Sequence, residues 1–243
     1  MITRLRITWS TYPSQFWLLF WGQLLITFGA SMIWPFLMIY VSEQLDLSLT
    51  AVASLMTINA GMTLVSSFIG GPIIDRIGRK WVMVISLAVT GLSFLMMVPA
   101  NTLLAFAFLM GLRGAFRPLF QVGADAMMAD LIAPEQRADA YSLLRMIKNV
   151  GVALGPAIGG FIATSSYSSA FFIAAFCLIT YGLIMALFAQ ETLPEPSDSR
   201  DIEEHQFGGY GQILKDKLFI SFALAFTLTQ VCSTLIWVLL GVY

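Results

Sequence analysis

Seven stretches of this chain, 16–41, 50–73, 80–99, 102–125, 140–163, 168–189 and 218–243, are each apolar over the roughly 20 residues a helix needs to cross a bilayer. No other feature narrows the fold so far. In hydrocarbon every backbone N–H and C=O must be satisfied within its own segment, so each stretch is expected to be a helix. Composition agrees: 58% of the 243 residues are apolar and 11% are charged, against about 25% charged in a soluble domain. The chain is read as an all-α membrane protein whose first partner is the lipid bilayer. Met1-Ile-Thr-Arg-Leu-Arg looks like the start of a signal peptide, but the apolar stretch behind it is too long, and it is read as a retained first span.

Several functions are excluded by what is missing. The net charge is −1 with no basic block, so nucleic acid is not an expected partner. Cys177 and Cys232 sit in separate apolar stretches without ligand-spaced neighbours, which argues against a disulfide framework or a zinc site. His205 lies in the most hydrophilic part of the chain and reads as a solvated linker residue. No metal and no cofactor is called for. A membrane enzyme would need an acid/base or metal cluster near an interface, and only the scattered Asp130, Glu135 and Asp139 are available.

Basic residues set the orientation. Arg4 and Arg6 precede the first span, Arg76, Arg79 and Lys80 fill the second connection, Arg137, Arg145 and Lys148 surround the fourth, and Arg200, Lys215 and Lys217 lie in the sixth. The connections around 42–50, 100–102 and 165–169 contain no Lys or Arg. The positive-inside bias therefore puts the N-terminus in the cytoplasm of a multi-pass protein of the cell membrane. The sixth connection, 190–217, holds seven of the fourteen acidic residues and several Pro and Gly, the composition of a flexible linker. The expected organisation is a six-helix domain over 1–189, a cytoplasmic linker over 190–217, and a seventh helix over 218–243.

Between the second and third spans stands Gly71-Pro-Ile-Ile-Asp75-Arg76-Ile-Gly78-Arg79-Lys80. Gly78 permits a tight turn, Gly71 would allow close helix approach, and Asp75 near the boundary needs a cationic or helix-terminal partner. The bases alone would also serve as topology anchors. The fifth span carries Gly151-Val-Ala-Leu-Gly155-Pro156-Ala-Ile-Gly159-Gly160. Its four-residue spacing clears one helix face for backbone contact, and Pro156 removes an intrahelical hydrogen bond. The first segment resembles the G-x-x-x-D-R-x-G-R-K signature of the major facilitator superfamily. The second is similar to the G-x-x-x-G-P-x-x-G-G motif of its antiporter branches. Weaker likenesses lie in the Pro35 segment and in Ala129-Asp130…Pro134-Glu135-Gln136-Arg137.

The resemblance implies a facilitator-type half bundle of two inverted three-helix repeats plus one helix of a second half. It also implies a secondary transporter working by alternating access, with a small-molecule substrate, protons as the expected coupling ion, and efflux of amphipathic drug-like or metabolite compounds. Residues 71–80 would act as a gating latch between halves, and the Gly155-Pro156 helix would control packing at their interface. Partners would be the missing C-terminal half or a second copy. An importer, or a non-transporting half that binds a partner, are the alternatives.

The fourth span holds the sharpest local feature. Arg113, Arg117, Gln121 and Asp125 recur every four residues on one drifting face. At about 1.5 Å per residue Arg113 lies roughly 16 Å deep, where an arginine costs at least about 2.5 kcal/mol unless it faces protein or water. Arg113, Gln121 and Asp125 are candidates for a substrate or proton pathway, with Asp125 expected to pair with Arg117 or a basic residue of another helix. A static Arg117, Gln121 and Asp125 network is the competing account. The resemblance adds that the family's fourth helix carries an arginine linked to substrate or proton handling at this place. Gln23 and Trp34 in the first span and Asn59 in the second are further pathway candidates. The first span has no Asp or Glu.

Overall fold

The structure, a computed structural model, describes residues 11–164, 166–193 and 215–240, with residues 49 and 230–240 described by backbone alone. The expectations placed on Arg4, Arg6, Arg200, His205, the Cys232 side chain and most of the acidic linker lie outside the described residues. Two compact units divide at 193/194. In the second, the described helix is α8 (Lys217–Leu240). Asp216 opens it, its Oδ1 accepting from the N–H groups of Leu218 (2.9 Å) and Phe219 (3.2 Å).

The first unit contains α1 (Ser14–Ile33), α2 (Leu37–Leu45), α3 (Leu49–Ile77), α4 (Arg79–Met97), α5 (Leu103–Leu131), α6 (Arg137–Ala163) and α7 (Tyr167–Phe188). Six of these helices are long and apolar enough to cross a membrane, and the protein is a multi-pass membrane protein. Several limits differ from the sequence reading. The first span is not one helix. It breaks at Trp34-Pro35-Phe36, because proline offers no N–H and its ring crowds the preceding turn. The second span runs to Ile77 and the fourth to Leu131. Asp75, Arg76 and Asp125 do not end a helix, since charged side chains at a membrane boundary leave the backbone ladder untouched.

The ends themselves are chemically specified. Ser48 and Thr102 cap α3 and α5, accepting from the N–H groups of Ala51 (3.3 Å) and Ala105 (3.2 Å). The Arg137 guanidinium covers the end of α5, donating to the carbonyls of Ala129 (2.6 Å) and Ile132 (3.0 Å), a favoured place for a cation.

The main packing partners are α1 with α6 and α7, α5 with α3 and α4, and α4 with α7. Exchanging α1 with α5, α3 with α6 and α4 with α7 leaves this set of pairs unchanged. Because consecutive spans alternate direction, the first and fourth spans run oppositely, so the two three-helix repeats are inverted. Lipid tails are as apolar as leucine, so helix pairing here depends on close packing and interhelical hydrogen bonds. Asn59 Nδ2 donates to the Met110 carbonyl (2.9 Å), and the Ser66 and Ser86 hydroxyls donate to the carbonyls of Ala115 and Phe116. The core gathers Phe94, Phe106, Phe171 and Tyr40, with the Tyr40 and Phe171 rings 4.8 Å apart. Phe161, Leu104 and Leu187 project outward, as side chains facing lipid do.

The glycine row of α6 lies against α1. A Cβ at Gly151 would stand 3.0 Å from Thr27 Cβ and one at Gly155 would stand 2.9 Å from the Phe28 carbonyl, while Gly159 approaches the Met32 backbone. The Ser31 hydroxyl donates to the Gly151 carbonyl (3.0 Å) across the same seam. The glycines of the Gly155-Pro156 segment are thus used within the bundle, against α1. A Cβ at Gly160 would stand 3.3 Å from the Phe36 ring, and α6 continues unbroken through Pro156.

Candidate functional site: a cationic cavity and a boundary clamp

Four helices each turn an i, i+4 stripe toward a common cavity of about 650 Å³. From α1 come Gln23, Thr27 and Ser31, with Trp34 just past its end; from α3, Thr63 and Ser67; from α5, Arg113, Arg117 and Gln121; from α6, Lys148 and Val152. Gln23 Nε2 donates to Thr27 Oγ1 at 2.9 Å. α4 and α7 contribute no lining residue.

Arg113 is 2% exposed. Its guanidinium carbon lies 5.0 Å from the Trp34 ring and 5.1 Å from the Phe94 ring, so two aromatic faces stabilise the charge. Its Nε and Nη1 have no hydrogen-bond acceptor, and among the described residues no carboxylate forms an ion pair with it.

The structure thus brings Arg113, Gln121, Gln23 and Trp34 to one cavity, and it leaves two other candidates out. Asn59 is buried and engaged with the Met110 carbonyl, where its amide joins α3 to α5. Asp125 does not line the cavity. It accepts from Gln121 Nε2 (3.1 Å), and among the described residues it lies in no ion pair with Arg117. Half of the static network therefore exists, without its cation. Lys148 was read only as a loop anchor. Eleven residues into α6 from Arg137, at about 1.5 Å each, it stands roughly 16 Å from the helix start, and that depth was the signal that separates it from a boundary lysine.

The second constellation sits at the end of the bundle where α3 meets α4. The connection is Gly78 alone, at φ 100°, a conformation that only glycine adopts freely. Asp75 and Arg76 close α3 while Arg79 and Lys80 open α4, so the expected turn of several residues is one residue long. A Cβ on Gly78 would also collide with the Glu191 carboxylate. Glu191 caps α4: Oε1 accepts from Arg79 N–H (2.9 Å) and Oε2 from Lys80 N–H (3.1 Å). Arg79 Nε lies 2.8 Å from Asp130 Oδ2. It is an ion pair and not an aligned hydrogen bond, since Arg79 Nε has no acceptor in hydrogen-bonding geometry. Thr192 Oγ1 donates to the same Asp130 oxygen (2.9 Å). Asp75 is 67% exposed and 4.0 Å from Arg79, so the tight acid partner of Arg79 is Asp130. A Cβ at Gly71 would meet nothing within 4 Å, and one at Gly70 would make only ordinary contact, 3.4 Å from Leu119 Cδ2.

Partial burial alone would raise the Glu191 pKa, but the N–H groups of Leu193, Arg79, Lys80 and Thr192 outweigh it and hold the carboxyl below its usual range. A carboxylate with a lowered folded-state pKa stabilises the fold fully above the ordinary glutamate range, and that stabilisation is lost as the pH falls through the lowered value. Glu191→Ala is expected to remove about 1 kcal/mol, a typical cap, and to lower Tm by about 2–4 °C near neutral pH. The difference from the parent should shrink in acid. Thermal unfolding of both proteins across pH measures it, and a gap that widens in acid would contradict the assignment.

A family model described as the Major Facilitator Superfamily matches residues 19–243. A Na(+), Li(+), K(+)/H(+) antiporter of Planococcus maritimus is 27% identical over 223 residues, covering 84% of this chain and 51% of its own. Multidrug resistance protein 1 of Bacillus subtilis (strain 168) is 31% identical over 185 residues, 75% of this chain and 46% of its own. The solved peptide transporter POT in complex with sulfate is similar at TM-score 0.67 and 18% identity, over 89% of this chain and 46% of that one. The chain spans about half the length of the curated relatives it matches.

Proposed function

The chain belongs to the major facilitator superfamily, and from that premise we propose that it forms the N-terminal half of a secondary transporter that exports amphipathic drug-like or metabolite compounds in exchange for protons. The observation that carries this reading is Arg113: a charge embedded in an apolar helix, without an acid partner among the described residues, at the wall of a cavity of about 650 Å³. An arginine at such a depth is tolerated where it meets water or solute, and the volume suits a drug-sized molecule. Relatives named for multidrug resistance and for cation/proton antiport support the direction and the coupling.

In this reading the cavity is one wall of a site near the midplane, and rocking against a C-terminal half exposes it alternately to each face. The end of the bundle bearing Arg76, Arg79, Lys80 and Arg137 faces the cytoplasm of a cell membrane, in keeping with the positive-inside bias. The chain is organised as the six-helix domain, a linker and the first helix of the second half. Residues 71–80 act as the latch between halves, with Asp75 exposed and Arg79 held by Asp130.

Flux by the full-length protein in proteoliposomes tests the coupling. One proton per solute allows about tenfold accumulation per pH unit, since a unit is 1.36 kcal/mol. Solute movement against its gradient that collapses when the pH gradient is dissipated is the expected result. Flux indifferent to the gradient would overturn proton exchange.

A further inference from the structure

The lining of the cavity is electrically one-sided. Arg113, Arg117 and Lys148 all border it, and no Asp or Glu does. The nearest acid in the stripe, Asp125, is already hydrogen-bonded to Gln121 and lies within electrostatic reach of Lys148 without lining the space. Arg113 is the most demanding of the three cations, because its buried Nε and Nη1 lack any acceptor. A buried charged donor left unmet is expensive, and the two rings that flank it stabilise positive charge without accepting its N–H bonds in the plane. Around these cations the wall combines neutral polar side chains, Gln23, Thr27 and Gln121 among them, with apolar ones, Ile26, Trp34, Pro118, Phe120 and Val122.

We infer that the cavity takes a small organic anion, one carboxylate, sulfonate or phosphate group carried on an aromatic or aliphatic body, with the anionic group set among Arg113, Arg117 and Lys148. This rests on the reading of the cavity as the solute site. The anionic group supplies the acceptors that Arg113 lacks, in charge-assisted hydrogen bonds, while Trp34 and Phe120 cover the apolar body. A solute of opposite charge would meet three like charges in a confined space of low dielectric.

The test compares two probes that share a ring system and differ in charge, 1-naphthoate and 1-naphthylmethylammonium. Their binding to the full-length protein is measured calorimetrically in nanodiscs of zwitterionic lipid. The anion is expected to bind saturably, about tenfold or more tighter than the cation, and more weakly as salt is raised. Arg117→Gln and Lys148→Gln, both at exposed positions, are expected to weaken it severalfold each, and Arg113→Ala about tenfold or more. The two exposed variants keep the test meaningful should Arg113→Ala fail to fold. Preference for the cation, with binding still lost in Arg113→Ala, would overturn the anion assignment while the cavity remained a solute site. Saturable binding of neither probe would overturn both. A third arm separates solute from headgroup: if adding anionic phospholipid to the nanodiscs displaces 1-naphthoate competitively, the anion held here is a lipid phosphate, and the solute assignment falls.

Discussion

Gly155→Leu is expected to destroy the packed bundle, whereas Gly71→Leu, inside the better-known kind of signature, is expected to leave it standing. A side chain at 155 begins within van der Waals contact of the α1 backbone, 2.9 Å from the Phe28 carbonyl and 3.0 Å from Ser31 Cβ. Overpacking against flexible side chains costs about 1–3 kcal/mol. Here the obstacle includes main chain, and α1 and α6 would have to separate along a seam that Gly151, Gly155 and Gly159 share. Separation also breaks the hydrogen bond from Ser31 to the Gly151 carbonyl. Lipid supplies no compensating hydrophobic force, so a loss above about 3 kcal/mol is expected, a large share of the 5–15 kcal/mol that holds a typical fold.

Gly71 has open space around it, and leucine is the better helix former by a few tenths of a kcal/mol to about 1. Size-exclusion behaviour and Tm of the two purified variants measure the contrast. Equal Tm values would refute the packing seen for α6. The experiment also separates the two accounts of the glycine row: a face reserved for another half would tolerate leucine in this chain.

How much of this could be read from residues alone depends on which interactions are local. The spans were legible because the bilayer allows one solution for a long apolar stretch. Their ends were not, since Asp75 and Asp125 looked like boundaries yet the backbone ladder runs past both, and it is Gly78 and the capped turn at Arg137 that stop the helices. Pro35 sits in an unbroken apolar run and its break was missed. The i, i+4 stripe of α5 was legible by spacing. That Gln23 and Trp34 face it, while Asn59 does not, depends on how α1 and α3 rotate against α5. Glu191 was invisible as a cap because it lies 112 residues from the N–H group it accepts. Nothing in either segment alone marks the pairing.

Arg113→Ala is expected to separate function from stability. Removing the guanidinium relieves a buried charge whose Nε and Nη1 lack acceptors, at the expense of two cation–π contacts worth about 0.5–2 kcal/mol each and a small cavity between Trp34 and Phe94. These terms offset one another, so Tm should move by no more than a few degrees. Transport has no such compensation. If the arginine binds solute or handles its proton, its loss should lower flux by about 30–150-fold, the 2–3 kcal/mol of a charged hydrogen bond.

Arg113→Lys keeps the charge but gives up the planar group that both rings sandwich, and an intermediate loss of about tenfold is expected. Flux of a panel of anionic and cationic amphiphiles through the full-length protein, normalised to folded protein and paired with Tm, decides the matter. If the arginine merely joins helices, the result inverts: Tm falls sharply in Arg113→Ala while each surviving molecule transports at the parent rate. Residues kept for function commonly lie where stability would prefer something else, and a buried arginine with idle donors between two aromatic rings is such a place.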